Sequence, residues 1–383
     1  MTQAKTAHLA GPQIVRLSLT NFRNHRNTAF AIEGRQVAFV GSNGAGKTNI
    51  LEALSLLSPG RGLRRARYVD MIGSGERDGR DRGFAVAAQL RPLDAEPADD
   101  PVGIGTGVQD AATSGRDIRI DKVPVKSAEA LLERLSIVWL TPAMDGLFAG
   151  GASDRRRFFD RMVLALHPRH GQQVNRFEAA MRARNKLFDT GVHDPVWFDG
   201  VEAQMAEAAM TISQAREKTL SLLRNAINEA REKVSAFPHA LIDLQGFDGA
   251  DDYAQRLASG RQRDRAAGRA LEGPHRADLL VRHGPKDIEA RLASTGEQKA
   301  LLIGLVLAQA QLIKRETDQA AVLLLDEIAA HLDQGRRAAL FALCAELGGQ
   351  TFMTGTDAAL FDDLPDRSQR FAVKDGTVTA LDS

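Results

Sequence analysis

The 383-residue chain is short of several things, and each shortage narrows its function. Its one cysteine, Cys344, sits in an apolar helical stretch. No disulfide framework can form, and a reducing cytoplasm is the expected home. No apolar run approaches the length of a membrane-spanning helix, which argues against a membrane partner. Met1–Pro12 lacks the charged-then-apolar pattern of a signal peptide and reads as a loose N-terminal tail. There is no large excess of either charge: 50 Lys and Arg face 49 Asp and Glu, a formal net charge of +1. Overall charge therefore neither supports nor excludes nucleic acid, and only local clusters can carry that argument. What remains is 43% hydrophobic and 26% charged, the composition of a soluble globular chain long enough for two or three domains.

Gly41-Ser42-Asn43-Gly44-Ala45-Gly46-Lys47-Thr48 fits G-x-x-x-x-G-K-[ST], the phosphate-binding P-loop. Its glycines let backbone N–H groups close around phosphate oxygens; Lys47 would reach the β- and γ-phosphates, and the Thr48 hydroxyl would ligate Mg²⁺. A Gly-rich turn matching by chance is the alternative. Context weighs against it: Gln36–Val40 reads as a buried strand entering the loop, and Asn49–Leu57 as a helix leaving it, positive end towards the anion.

Elsewhere, Gln13–Thr20 alternates like a half-buried strand. Asn21–His25 follows as a polar turn, either a surface loop or a nucleotide-base or phosphate contact beside the P-loop. Arg61, Arg64, Arg65 and Arg67 form the densest basic cluster, either a solvated face or contacts to a DNA phosphate backbone. Phe84–Leu90, Asp117–Ile120 and Ser136–Leu140 read as strands, and residues 92–115, acidic and Gly-rich, as an exposed insertion. The period then turns helical over Asp154–Leu166, with Asp154 a candidate N-cap, and over Gln172–Asp189. Val201–Phe237 contains neither Gly nor Pro and as one helix would run about 55 Å. Residues 146–269 thus look like a helical arm inserted into an α/β head formed by 13–145 and 270–383. Arg155, Arg156, Arg157, Arg182, Arg184 and Lys186 give the arm basic positions, interleaved with acids.

Ala321–Leu325 is an apolar strand ending in Asp326 and Glu327, a Walker B pattern. Asp326 would hold Mg²⁺ and Glu327 would be the general base for the attacking water. Strands often end in acidic residues, but pairing with a P-loop favours the functional reading. Ser294-Thr295-Gly296-Glu297-Gln298 resembles the signature motif of ABC-type ATPases, whose Ser hydroxyl and glycine N–H groups contact ATP held by another subunit. By itself the pentapeptide could be only a helix cap. Ala330-His331-Leu332-Asp333 sits where such ATPases carry the D-loop. Ser294 follows Lys47 at a distance far greater than in ABC transporters, as an inserted arm requires.

The chain is similar to the RecF family, bacterial recombination-mediator ATPases of the SMC-like group. The residues that carry the resemblance run in family order: Leu19–Asn24, Gly41–Asn49, Arg156–Asp160, Arg184-Asn185, Gly273-Pro274-His275-Arg276-Ala277-Asp278-Leu279 and the Ser294 element. Three departures stand out. Glu327 replaces a usual second Asp, the D-loop is Ala-His-Leu-Asp rather than Ser-Glu-Leu-Asp, and the switch Met353–Asp357 has no His, leaving Thr354 as the nearest γ-phosphate sensor. The resemblance implies an ABC-type P-loop ATPase head with an inserted arm, using ATP and Mg²⁺. It implies a cytoplasmic protein that forms a homodimer on binding ATP and clamps duplex DNA near single-strand gaps. Slow, DNA-stimulated hydrolysis would open the dimer. RecR, and more loosely RecO, would be its partners in loading RecA, in support of replication restart and the SOS response. Other readings are an SMC-like ATPase acting with a nuclease, an ABC transport subunit, or a P-loop kinase. The first would need a longer arm or a His/Asp cluster, the second a membrane partner, and the third no signature element.

Overall fold

The computed structural model describes residues 11–73, 83–92, 99–110, 115–232, 236–249, 252–365 and 367–381. The chain forms two compact units, Met1–Met144 with Ala310–Ser383, and Asp145–Gln309. The first begins with strands β1 (Gln13–Phe22), β2 (His25–Ala31) and β3 (Gln36–Val40), helix α1 (Lys47–Ser55), and strands β4 (Phe84–Arg91), β5 (Val102–Val108), β6 (Asp117–Ile120), β7 (Val123–Pro124) and β8 (Ile137–Leu140). The second holds helices α2 (Ala152–Leu166), α3 (His170–Asp189) and α4 (Pro195–Glu232), β9 (Ala240–Gln245), α5 (Tyr253–Ser259), α6 (Arg261–Ala267), β10 (Asp278–His283), β11 (Ile288–Glu289) and the start of α7 (Thr295–Thr317). The first unit resumes with the end of α7, then β12 (Val322–Leu325), α8 (Gln334–Leu347), β13 (Thr351–Gly355), β14 (Gln369–Lys374) and β15 (Thr377–Leu381).

Two six-stranded sheets build the first unit. One is antiparallel, in the order β2-β1-β4-β5-β6-β7. Strand β4 alternates strictly, with Phe84, Val86, Ala88 and Leu90 turned into the core. Strand β1 changes register between Ile14 and Arg16, so that Ile14 and Leu17, three apart, both face inward. The other sheet runs β15-β14-β3-β13-β12-β8, parallel except for the antiparallel edge β15. Val322–Leu325 is buried throughout, as a strand covered on both faces must be. Phe39 stacks on Phe352 and on Phe371, with centroids 6.3 and 5.6 Å apart, which locks β3 between its neighbours. Because β13 lies between β3 and β12, the P-loop, the Walker B carboxylates and the end of β13 all leave the sheet at one edge, the carboxyl ends of parallel strands.

Two expectations for this unit are corrected. Residues 102–108 are not part of an exposed insertion: β5 pairs with β4 along its length and buries Ile104, Thr106 and Val108. Gly103, Gly105 and Gly107 occupy the alternate positions and disguise the strand; a Cβ on Gly107 would stand 2.2 Å from the Phe84 carbonyl oxygen. Residues 93–98 and 111–114 of that segment lie outside the described residues. Gly11 and Pro12 are buried rather than loose, and Arg35 Nη1 donates to the Gly11 carbonyl at 3.0 Å. Residues 1–10 lie outside the described residues.

In the second unit α3 and α4 pack side by side over Phe177, Met205, Ala208, Ala209 and Ile212, with Tyr253 and Leu257 from α5. The 38-residue α4, about 57 Å long, begins six residues earlier than expected, with Pro195 in its first turn and Gly200 tolerated inside it. The segment is not helical throughout, because Ala240–Gln245 pairs with β10 in a three-stranded sheet. Gly151, not Asp154, is the N-cap of α2; Asp154 lies in the first turn and pairs with Arg157.

The arm's basic positions are largely spoken for. Arg155 grips Asp278 through two bonds of 2.8 and 2.7 Å, and Arg156 Nη1 donates to the Ala277 carbonyl at 3.0 Å. Arg184 is fully buried: Nε donates to Glu202 at 2.8 Å, Nη1 to Asp264 at 2.7 Å and Nη2 to the Leu257 carbonyl at 2.9 Å, with Phe188 stacked on its guanidinium. The guanidinium fork suits this convergence and an ammonium does not. Arg184→Met, which takes the buried guanidinium away from Glu202 and Asp264 and leaves them only Arg261 and Arg263, is expected to cost about 3–5 kcal/mol, seen as a lowered urea midpoint of the full chain. A wild-type midpoint would show that the network adds no stability.

Candidate nucleotide site

The loop between β3 and α1 owes its shape to glycine. Gly44 and Gly46 have φ of 82° and 113°, a region open to glycine and strained for other residues. A Cβ on Gly46 would also come within 2.7 Å of the Asn24 side chain and 2.9 Å of His25 Nε2. Lys47, the first residue of α1, is buried, and its Nζ donates to the carbonyls of Gly41 at 2.6 Å and Ser42 at 2.9 Å. Burial lowers the Lys47 pKa, and the negative charges of Glu327 and Asp326 offset part of that. Ser42, Asn43 and Gly44 are exposed and Ala45 is buried.

Residues outside the motif hold this loop in place. In the turn after β1, Asn24 Nδ2 donates to the Ala45 carbonyl at 2.9 Å, and its Oδ1 accepts from Asn49 at 2.8 Å. The buried His25 ring lies 3.1 Å from the Gly46 carbonyl oxygen and 2.8 Å from that of Gly376. Asn21–His25 is therefore a support for the P-loop. Glu52, on α1 and fully buried, accepts two bonds from Arg23, at 2.9 and 2.8 Å, and one from Arg64 at 3.1 Å. Arg64 also donates to Asn49 Oδ1 at 2.7 Å, so this member of the expected DNA-contact cluster is engaged with the P-loop helix. Arg67 pairs with Asp70 at 2.9 Å, and Arg61 and Arg65 are exposed.

Asp326 follows β12 and receives two hydroxyls on one oxygen. Thr48 Oγ1 and Thr354 Oγ1 each donate to Oδ1 at 2.8 Å. Burial raises the Asp326 pKa, and these two hydrogen bonds counter it in part. Glu327 is half-buried with φ of 52°, and its backbone N–H donates to Thr354 Oγ1 at 2.9 Å. The sequence pointed to Thr354 only as the nearest γ-phosphate sensor in a switch segment without histidine. The Thr48 hydroxyl and Asp326 carboxylate form a hard-oxygen pair suited to a divalent cation. Among the described residues no group of three or more His, Cys, Asp or Glu side chains could hold a metal. A cation here would take its remaining ligands from phosphate and water, the usual habit of Mg²⁺.

Ser294–Gln298 lies in the second unit, where Ser294 precedes the first turn of α7. Ser294 N–H donates to Glu297 Oε2 at 3.1 Å and Glu297 N–H to Ser294 Oγ at 3.4 Å, a reciprocal capping box. Lys286 pairs with Glu297 at 2.5 Å and, with the Ser294 bonds, holds that carboxyl at about 2. Gln298 turns inward and donates to the Ala293 carbonyl at 2.8 Å. Ser294, Thr295 and Gly296 are exposed, and a Cβ on Gly296 would meet nothing within 4 Å. Leu292 beside them is 63% exposed. In the first unit, Ala329–His331 forms a 3₁₀ turn, Ala330 is exposed, Leu332 is buried, and Asp333 caps α8 by accepting from Arg336 N–H at 2.9 Å.

Comparison with known proteins matches residues 13–379 to the RecF/RecN/SMC N-terminal domain family. The DNA replication and repair protein RecF of Rhizobium johnstonii is 53% identical over 374 residues, covering 95% of this chain and 97% of that one. RecF of Agrobacterium fabrum is 52% identical over 376 residues, covering 95% and 98%. Among solved structures, the recombination mediator protein RecF with ATP, in the RecFOR pathway, superposes with a TM-score of 0.84 at 22% identity, covering 99% and 100%. An Smc head domain with an extended coiled coil from Pyrococcus furiosus reaches 0.54 at 17% identity, covering 97% and 96%. The fold is that of an α/β ABC-type ATPase head. Among the described residues no helix is long and apolar enough to cross a membrane.

Burial of the Asp326 charge works against the resting fold. Its folded pKa lies above the unfolded value, so its contribution to stability is full below the ordinary carboxylate range and lost as pH rises through the folded pKa. Asp326→Asn is expected to raise the neutral-pH melting temperature of the nucleotide-free protein. That gain should disappear when the scan is repeated below the ordinary carboxylate range. A lower melting temperature at neutral pH would contradict this.

Proposed function

The chain belongs to the RecF family, and from that premise we propose that it is an ATP-switched DNA clamp of recombinational repair. One observation supports this reading most. Lys47, Thr48, Asp326 and Glu327 stand together at one sheet edge, while Ser294–Gly296 is exposed at a helix N-terminus. Glycine in the first turn costs a helix up to about 1 kcal/mol relative to Ala. Among the described residues, nothing lies within 4 Å of a Cβ on Gly296 to require that cost. A close approach from outside would, and a second copy's γ-phosphate is the approach the signature motif supplies.

In this reading the P-loop N–H groups and Lys47 bind the triphosphate. When bound through Thr48 and Asp326, Mg²⁺ supplies charge neutralisation to the phosphates. Glu327 orients the attacking water and takes its proton. Ser294 and the α7 N-terminus of the second copy complete the site, so ATP joins two chains across DNA, and slow, DNA-stimulated hydrolysis releases them. Arg61, Arg65 and Arg67 are the exposed candidates for the DNA backbone. The relatives' role in DNA replication and repair and a structural neighbour's place in the RecFOR pathway support action on DNA beside RecR and RecO; gapped duplex as substrate, cytoplasmic action and loading of RecA are what the family resemblance adds to the proposal.

Sedimentation with and without ATP and DNA tests the proposal. The dimer fraction should rise with ATP, and a monomer at saturating ATP with DNA present would exclude the clamp. Lys47→Ala should abolish nucleotide binding. Ser294→Ala should retain it and lose the dimer, and equal loss of binding in both variants would contradict a shared site. Glu327→Gln should keep the ATP-bound dimer and slow turnover by about 10²–10⁴-fold.

A further inference from the structure

We infer that Thr354 is a positioning residue, whose single hydroxyl sets the relative orientation of the metal-binding and general-base carboxylates. The inference rests on the reading of Asp326 and Glu327 given above. Thr354 is the penultimate residue of the wholly buried β13, between the strand that feeds the P-loop and the strand that leads to Asp326. The residue is 1% exposed, so its hydroxyl has no water to turn to. Its proton goes to Asp326 Oδ1 at 2.8 Å, and its oxygen accepts from Glu327 N–H at 2.9 Å. One atom thus touches both members of the pair. The Glu327 backbone needs such an anchor: a non-glycine residue at φ 52° is held in a strained, left-handed conformation. Relaxing that residue would rotate the peptide joining it to Asp326 and re-aim its carboxylate. Thr354 itself contacts no reacting group in this account. It acts through Asp326 and Glu327, and it does so at the switch segment Met353–Asp357, which has no histidine.

Thr354→Val keeps the shape and removes both hydrogen bonds, while Thr354→Ser keeps the hydroxyl. Hydrolysis by Thr354→Val should fall about 10- to 100-fold, with ATP affinity within a few-fold of wild type, and Thr354→Ser should restore most of the rate. In the nucleotide-free protein, amide hydrogen exchange at Glu327 should lose its protection in Thr354→Val and regain it in Thr354→Ser. The Asp326 amide, bonded to the Leu140 carbonyl at 2.9 Å, should stay protected in both. Wild-type turnover in Thr354→Val, or unchanged exchange at Glu327, would overturn the inference. So would loss of ATP binding in step with hydrolysis. If the valine variant does not fold, Thr354→Ala takes its place, and failure of that variant to fold would make the hydroxyl structural and overturn the inference as well. A wild-type chain that neither binds nor hydrolyses ATP would remove the ATPase reading itself, whereas normal wild-type hydrolysis with an unaffected Thr354→Val removes only the role of Thr354.

Discussion

The carboxylate of Asp326 is the point on which the head depends. Thr48 from the P-loop helix and Thr354 from β13 both donate to its one oxygen, at 2.8 Å each. Three segments far apart in sequence are thereby brought to a common point at the sheet edge. Hydrogen bonds to a charged group contribute about 1.5–3 kcal/mol each, yet burying that charge costs more than a neutral site would, and burial indeed pushes its pKa up. The arrangement is one a fold would not keep for stability alone. It becomes reasonable once a divalent cation and a triphosphate are counted among its partners.

Around that point the protein spends further polar groups on holding the P-loop still. Glu52 is buried under two arginines, Arg23 and Arg64, and Asn24 and His25 reach the loop's own carbonyls. Arg64 connects the basic loop 61–67 to the first turns of α1 through Asn49 and Glu52. In the second unit, Arg184 plays the equivalent part among helices, with a convergence of Glu202, Asp264 and the Leu257 carbonyl that leaves little freedom.

How much of this was legible in the sequence follows from where the determining contacts lie. The P-loop and the Asp326-Glu327 pair were legible because their chemistry is local: glycine is demanded by φ at Gly44 and Gly46, and four buried apolar residues before two acids can only be an interior strand ending at an edge. Strand β5 was hidden because glycines at its alternate positions erase the hydrophobic alternation. The arm's arginines read as a basic surface because a sequence does not show which guanidinium has carboxylates arriving from residues 80 positions away, as Asp264 does for Arg184. Thr354 was visible as a candidate phosphate sensor, but its bonds to Asp326 and Glu327 depend on β13 lying between β3 and β12, a fact of topology. The turn at Asn24 and His25 was legible as a polar turn near the P-loop, but its bonds to the Ala45 and Gly46 carbonyls depend on topology in the same way.

The Ser294 element is a helix cap, closed by Glu297 and Lys286, with Ser294, Thr295 and Gly296 exposed. In the proposed dimer, capping would pre-organise Ser294 and the α7 N-terminus for a second copy. The central claim is that each ATP is held by the Lys47 half of one chain and the Ser294 half of another. It is tested most directly by mixing Lys47→Ala protein with Ser294→Ala protein and measuring ATP hydrolysis. The account predicts that the mixture regains activity neither variant has alone, because the mixed dimer contains one site with an intact P-loop and an intact partner serine. A mixture no more active than the sum of its parts, while mixed dimers form, would contradict it.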